Sequence, residues 1–141
     1  MLLMLLPEQL DKFWSVVKYA VEECFGEVTQ KQNLVNNILQ SLLMSRMQAW
    51  IVTEDQDSID AVVLTAVVDD SALPGNTLRI YMLYAFKPTS ADLWNEGWKT
   101  LEAFAHKCEC IMMDAFSTNE KVISMAQSFG WKSEQHLYKE L

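Results

Sequence analysis

With 141 residues, half of them hydrophobic, the chain is long enough to bury one sizeable core and too short for two comfortable domains. Nineteen acidic residues against eleven basic ones give a formal charge of −8, and there is no Lys/Arg-rich run. The average surface therefore repels phosphate backbones, which excludes nucleic-acid binding as the expected role.

In chain order, residues 1–6 are apolar but end at Pro7, too short a run for a signal core or a membrane span, so they are expected to form a first strand with no membrane attachment. Leu10, Phe13, Trp14, Val17, Ala20, Val21 and Cys24 recur at helical spacing and stop near Gly26. A second stripe comprises Leu34, Val35, Ile38, Leu39, Leu42 and Leu43. Residues 46–53 then read as a strand, 54–58 as an acidic hairpin turn, and 60–68 as a third strand. Leu73, Pro74, Gly75 and Asn76 form a strong turn signal before residues 77–86, a fourth strand rich in β-branched and aromatic side chains. Leu93, Trp94, Trp98, Leu101, Phe104 and Ala105 mark a third helix, for which Asp92 is the expected cap and Ser90 the alternative. The apolar run 110–116 suits a buried strand. Asn119 opens a last helix that stops at Gly130, and Trp131 begins an expected final strand. No internal repeat, linker or low-complexity tract interrupts the pattern. Three cysteines, an odd number without a recognisable export signal, favour reduced thiols and a cytoplasmic setting.

The segment 119–131, with its opening Asn and closing Gly130-Trp131 pair, resembles the C-terminal signature of the GCN5-related N-acetyltransferase (GNAT) superfamily. The preceding order of elements extends the resemblance over the whole chain. It implies a single α/β domain, 1–141, with a mixed, mostly antiparallel central sheet flanked by helices and with splayed fourth and fifth strands. It also implies that acetyl-CoA would lie with its pantetheine arm beside Leu83, Ala85 and Asn119, and its pyrophosphate on a Gln/Arg-x-x-Gly-x-Gly/Ala loop after the fourth strand. Such glycines let backbone N–H groups approach phosphates closely. Residues 87–97 lack that motif: Lys87 is the only cation, Asp92 and Glu96 are negative, and Gly97 lies too far along the helix. Ala126 stands where the family often carries a general-acid Tyr.

More narrowly, Arg46 to Val52, Leu78-Arg79-Ile80 and Asp92-Leu93-Trp94 resemble small GNAT-like proteins of tailed phages and prophages. In that group the loop is often eroded, and some members are considered virion or assembly components. The resemblance implies a catalytically degenerate protein that works through another chain or through self-association, in the host cytoplasm or the virion, with no catalytic residues and no cofactor. The alternative is an acyl-CoA-dependent N-acetyltransferase with a divergent cofactor loop.

For the interaction reading, Tyr81, Tyr84, Phe86 and Trp94 are the expected surface, because aromatic anchors dominate interface energetics; against it stands burial in a monomer's core. Trp50, Trp98 and Trp131 fall on apolar patterns and are expected to be buried. His106, Cys108 and Cys110 carry soft donor atoms without a fourth ligand nearby, so no metal is expected and the cysteines are read as small hydrophobes. Neither His106 nor His136 has the context of a nucleophile's base. Asp69 and Asp70 are the carboxylates nearest the fourth strand and are read as turn residues.

Overall fold

The third strand shows why the sheet has two covered faces. In a computed structural model, which describes residues 1–26, 31–55 and 58–141, β3 (Ala61–Asp69) is buried along its first six residues. A run of Val, Leu, Thr and Ala can occupy both faces only if each is packed, since successive side chains point to opposite sides. Val62 and Leu64 enter one core with Val17, Ala20 and Val21 of α1 (Leu10–Cys24) and Val35, Ile38 and Leu42 of α2 (Lys31–Leu43). Ala61 and Val63 enter the other with Leu93, Trp98, Leu101 and Ala105 of α3 (Ala91–Lys107). Each fully buried Val or Leu contributes about 1.5–3 kcal/mol over an exposed one.

The five strands lie in chain order, β1 (Leu2–Met4), β2 (Gln48–Val52), β3, β4 (Asn76–Ala85) and β5 (Cys110–Ala115). The first four are antiparallel, and β5 runs parallel to β4. The sheet is thus mixed and mostly antiparallel, as expected, and α3 supplies the crossover that a parallel neighbour requires. The expected hairpin turn at 54–58 lies partly outside the described residues.

An irregularity in β4 was not expected. Leu64 pairs with Met82 while Thr65 pairs with Ile80, leaving Tyr81 as an extra residue. This β-bulge reverses the parity of the strand. Leu78 and Ile80 belong to the core under α3, whereas Met82 and Tyr84 belong to the core under α1 and α2.

Three expectations are corrected. The run 110–116 is not a buried strand: β5 is the edge of the sheet, and Ile111, Met112 and Phe116 are exposed. The cap of α3 is Ser90, not Asp92: Ser90 has extended backbone, and its Oγ accepts from the Leu93 N–H at 3.2 Å. Asp92 lies in the first turn, where its charge favours the positive end of the helix dipole. The final strand is also absent. After α4 (Glu120–Ser128) and Gly130, whose φ of +90° suits a glycine beyond a helix end, residues 131–141 adopt no regular structure. Trp131 packs on Trp98, but the polar run 132–136 offers no apolar face to bury, and Leu137, Tyr138 and Leu141 are exposed.

Candidate functional site

β4 outruns β5. Their pairing ends at Ile80 with Ala115, and β5 stops there, while β4 continues to Ala85. Residues 82–85 keep β3 as a neighbour on one side, with Leu83 opposite Val63 and Ala85 opposite Ala61, and residues 81–85 have no β5 partner on the other. The backbone groups that face that side are left for something other than the sheet to satisfy. The bulge at Tyr81 stands where the open stretch begins.

Just below the divergence, Arg79 closes a fork on Asp114. Nε donates to Oδ1 and Nη2 to Oδ2, both at 3.0 Å, and the guanidinium lies 5.0 Å from the centre of the Phe116 ring. A planar fork on a carboxylate has a fixed geometry, so it ties the two strands at the level where they part. The hydrogen bonds to Asp114 hold the Arg79 pKa above its ordinary value. Nothing in the sequence marks this pair, because its members are 35 positions apart and belong to different elements.

The far end of β4 is pinned separately. Asp60 is completely buried; its backbone oxygen accepts from the Phe86 N–H at 2.8 Å and its Oδ2 from the Glu54 N–H at 2.9 Å. Lys87 Nζ lies 2.9 Å from Oδ1. Hydrogen bonding from Lys87, partly opposed by burial, holds the Asp60 carboxyl below its ordinary value, and Asp60 in turn holds the Lys87 ammonium above its own. The one cation of segment 87–97 is therefore committed to an internal carboxylate. At the start of α3, the Leu93 N–H is taken by Ser90 and negative Asp92 occupies the first turn, so this helix end is poorly arranged for a phosphate.

The four aromatic residues expected to form one surface divide between places. Tyr84 and Phe86 pack against each other at 5.2 Å between ring centres, and Tyr19 of α1 stacks on Phe86 at 6.1 Å. Burial, followed by the nearness of Tyr19 and Glu23, pushes the Tyr84 phenol up. Trp94 instead sits beside Trp98, 6.5 Å between ring centres, in the group under α3. Tyr81 is exposed at the bulge. Tyr19 escaped sequence reasoning because it lies off the apolar stripe of α1. Of the three residues expected beside a pantetheine arm, Leu83 and Ala85 both lie on the open stretch. Asn119 caps α4, its Oδ1 accepting from the N–H groups of Lys121 and Val122 at 3.0 and 3.4 Å. Trp50 and Trp98 are buried and Trp131 is half-buried.

Among the described residues no three His, Cys, Asp or Glu side chains gather to hold a metal ion. Cys24, Cys108 and Cys110 are free thiols, and burial pushes those of Cys24 and Cys110 up, away from reactive thiolate. No described helix is long and apolar enough to cross a membrane.

Neither a known family's sequence profile nor any curated protein matches the chain. Solved structures do. A "possible acetyltransferase" from Clostridium difficile is 16% identical with a TM-score of 0.74, the match covering 100% of this chain and 96% of that one. A "predicted acetyltransferase with acetyl-CoA" from Clostridium acetobutylicum is 14% identical with a TM-score of 0.73, covering 100% and 95%. An aminoglycoside acetyltransferase from an uncultured soil sample, solved with sisomicin, is 12% identical with a TM-score of 0.73, again covering 100% and 95%. At such identities the likeness establishes architecture. Together with the bulged fourth strand and its divergence from a parallel fifth, it shows that this chain has a GNAT-like fold.

Proposed function

We propose that the protein is an acyl-CoA-dependent N-acyltransferase that holds its thioester substrate through the pantetheine arm rather than through the pyrophosphate. The observation that carries this reading is the open stretch 81–85 of β4, whose unpaired side can hydrogen-bond the amides of an extended arm as a strand would. The acetyl-CoA complex of a similarly folded protein supports the choice of ligand. In the transfer, an acceptor amine attacks the thioester carbonyl, the C–N bond forms, the C–S bond breaks, and the amine's proton passes to a base. A thiol of pKa about 8.5 leaves readily as thiolate, so Ala126 in place of a general-acid Tyr does not forbid the step. A net charge of −8 favours a cationic amine as acceptor.

Calorimetry tests this with two ligands, acetyl-CoA and the phosphate-free thioester S-acetylpantetheine. The expected result is submillimolar binding of both, with constants within about tenfold of each other, or ~1.4 kcal/mol. Binding of neither ligand more tightly than about 1 mM overturns the reading.

A second reading is a non-enzymatic, phage-encoded virion or assembly component that works through another chain or through self-association. It is supported by the commitment of Lys87 to Asp60 and by the acidic first turn of α3, which together leave the usual phosphate end without a free cation among residues 87–97. Light scattering and capture from the native lysate or virions test it: a strict monomer that retains nothing defeats it.

A further inference from the structure

β1 is shorter than its partner strand. Met4 lies opposite Trp50, the Leu5 N–H donates to the Ala49 oxygen at 2.8 Å, and the chain then turns at Pro7 toward α1. Gln48, the first residue of β2, therefore has Thr65 of β3 on one side and no β1 residue on the other. This corner of the sheet holds a pocket of ≈ 250 Å³. Leu10 and Leu42 wall it from the layer of α1 and α2, and Phe104 walls it from the layer of α3. An engineered apolar cavity of about 150 Å³ accepts benzene, which sets the scale of what fits. β2 and β3 stand between the pocket and the open stretch of β4, so it is separate from the thioester site.

The wall is mostly apolar with a small polar part. Among the described residues no charged side chain lines it, and Ser45 and Gln48 are its polar side chains. Gln48 is held in one orientation. The Trp50 indole Nε1–H, a group that can only donate, gives to Thr65 Oγ1 at 2.9 Å, and the Thr65 hydroxyl gives to Gln48 Oε1 at 2.9 Å. Trp50 and Thr65 are both buried, so breaking this relay would strand two polar groups. The relay turns the Gln48 carbonyl inward and leaves the NH2 as the free end. Nε2 has no partner among the described residues and keeps access to solvent. A mainly apolar hollow with one oriented polar group is the common form of a small-molecule site. Met4 and Met47, also in the wall, have thioether chains that adapt to an occupant's shape.

We propose that this pocket binds an uncharged, largely apolar small molecule with one carbonyl oxygen, which Gln48 holds by donating from Nε2. An ionised ligand does not suit the wall, because it would lose water and find no counter-charge there.

The methyl signals of the eight methionines report occupancy by NMR, those of Met4 and Met47 being identified by their loss in Met4→Leu and Met47→Leu. Three probes of similar size are titrated separately in mildly alkaline buffer: acetophenone, ethylbenzene, which lacks the acceptor, and benzoate, which carries a charge. Acetophenone is expected to move Met4 and Met47, to leave Met82, Met112 and Met113 in place, and to bind at least about tenfold more tightly than the other two. In Gln48→Glu the side chain still accepts from Thr65 but no longer donates. There acetophenone should weaken about tenfold while ethylbenzene, the control for folding, binds as before. Unmoved Met4 and Met47 signals at the solubility limit overturn the pocket. Ethylbenzene or benzoate binding as tightly as acetophenone overturns the ligand class, and a Gln48→Glu protein that binds acetophenone as wild type does overturns the role of the amide. If that variant fails to fold, the three probes on the natural chain decide alone. Met4 and Met47 signals that move on diluting the unliganded protein identify a second copy as the occupant and also overturn the proposal.

Discussion

Asp60 and Lys87 are unequal partners, and the inequality can be measured. The carboxylate is wholly buried while the lysine side chain is about half exposed. In Asp60→Asn the lysine regains water and the amide oxygen still accepts from Glu54, so we expect a modest fall in Tm at pH 7. In Lys87→Met a buried carboxylate is left without its counter-charge, and we expect the larger fall. The pH dependence has a definite sign. Because the folded carboxyl titrates below its ordinary value, its contribution is complete above the ordinary aspartate range and is lost as pH drops through the folded value. The Tm gap between wild type and Asp60→Asn should therefore shrink in acid melts; a gap that widens there would contradict the assignment. Lys87→Met is also expected to leave acetyl-CoA affinity unchanged, whereas a phosphate-binding lysine would lower it.

Elements read from periodicity were the legible part of this protein. The stripe Leu93, Trp98, Leu101 and Ala105 is the buried face of α3, and the stripes of α1 and α2 contain their buried faces, although Cys24 and Leu43 at the helix ends are exposed. Leu64→Ala, at the wholly buried centre of β3, should cost about 2–5 kcal/mol in urea unfolding. Ser90→Ala, which removes the cap of α3, should cost about 1 kcal/mol, and Asp92→Asn a few tenths at most in the same measurement. The bulge was illegible because residues 78–85 are almost continuously apolar, so a change of face leaves no break in the pattern. The cap was misread because Ser90 and Asp92 are both competent and only the backbone at Ser90 turns extended. The Arg79 fork and the Asp60 latch join positions far apart in sequence, which periodicity cannot couple. Of the candidate site, Leu83 and Ala85 were readable as residues of the fourth strand, while the point at which β5 leaves β4 depends on pairing that only the folded sheet reveals.

For the molecule as a whole, stability should reside in residues before the tail. Residues 132–141 are exposed; Gln127 donates to Ser133 Oγ at 3.0 Å, and the His136 ring lies near Phe116 and Tyr138. Ending the chain after Trp131 should change unfolding free energy by less than about 1 kcal/mol; a larger loss in chemical denaturation would mean that the tail packs more closely than it does here. Such a truncated protein should also bind thioesters as the full chain does, since its open stretch is formed entirely by earlier residues.

β5 closes the sheet on one side with no strand beyond it among the described residues, and Ile111 and Met112 stand exposed along it, with Phe116 just past its end. A bare strand edge is a template for growth by other copies, and what opposes such stacking is the mutual repulsion of molecules with a net charge of −8 each. That protection has an expiry in acid: at the isoelectric point near 4.6 the repulsion vanishes while the edge remains. Turbidity should therefore peak around that pH and rise with concentration, and an Ile111→Lys protein, carrying a gatekeeping charge on the edge, should stay clear in the same mildly acidic buffers where the natural chain clouds.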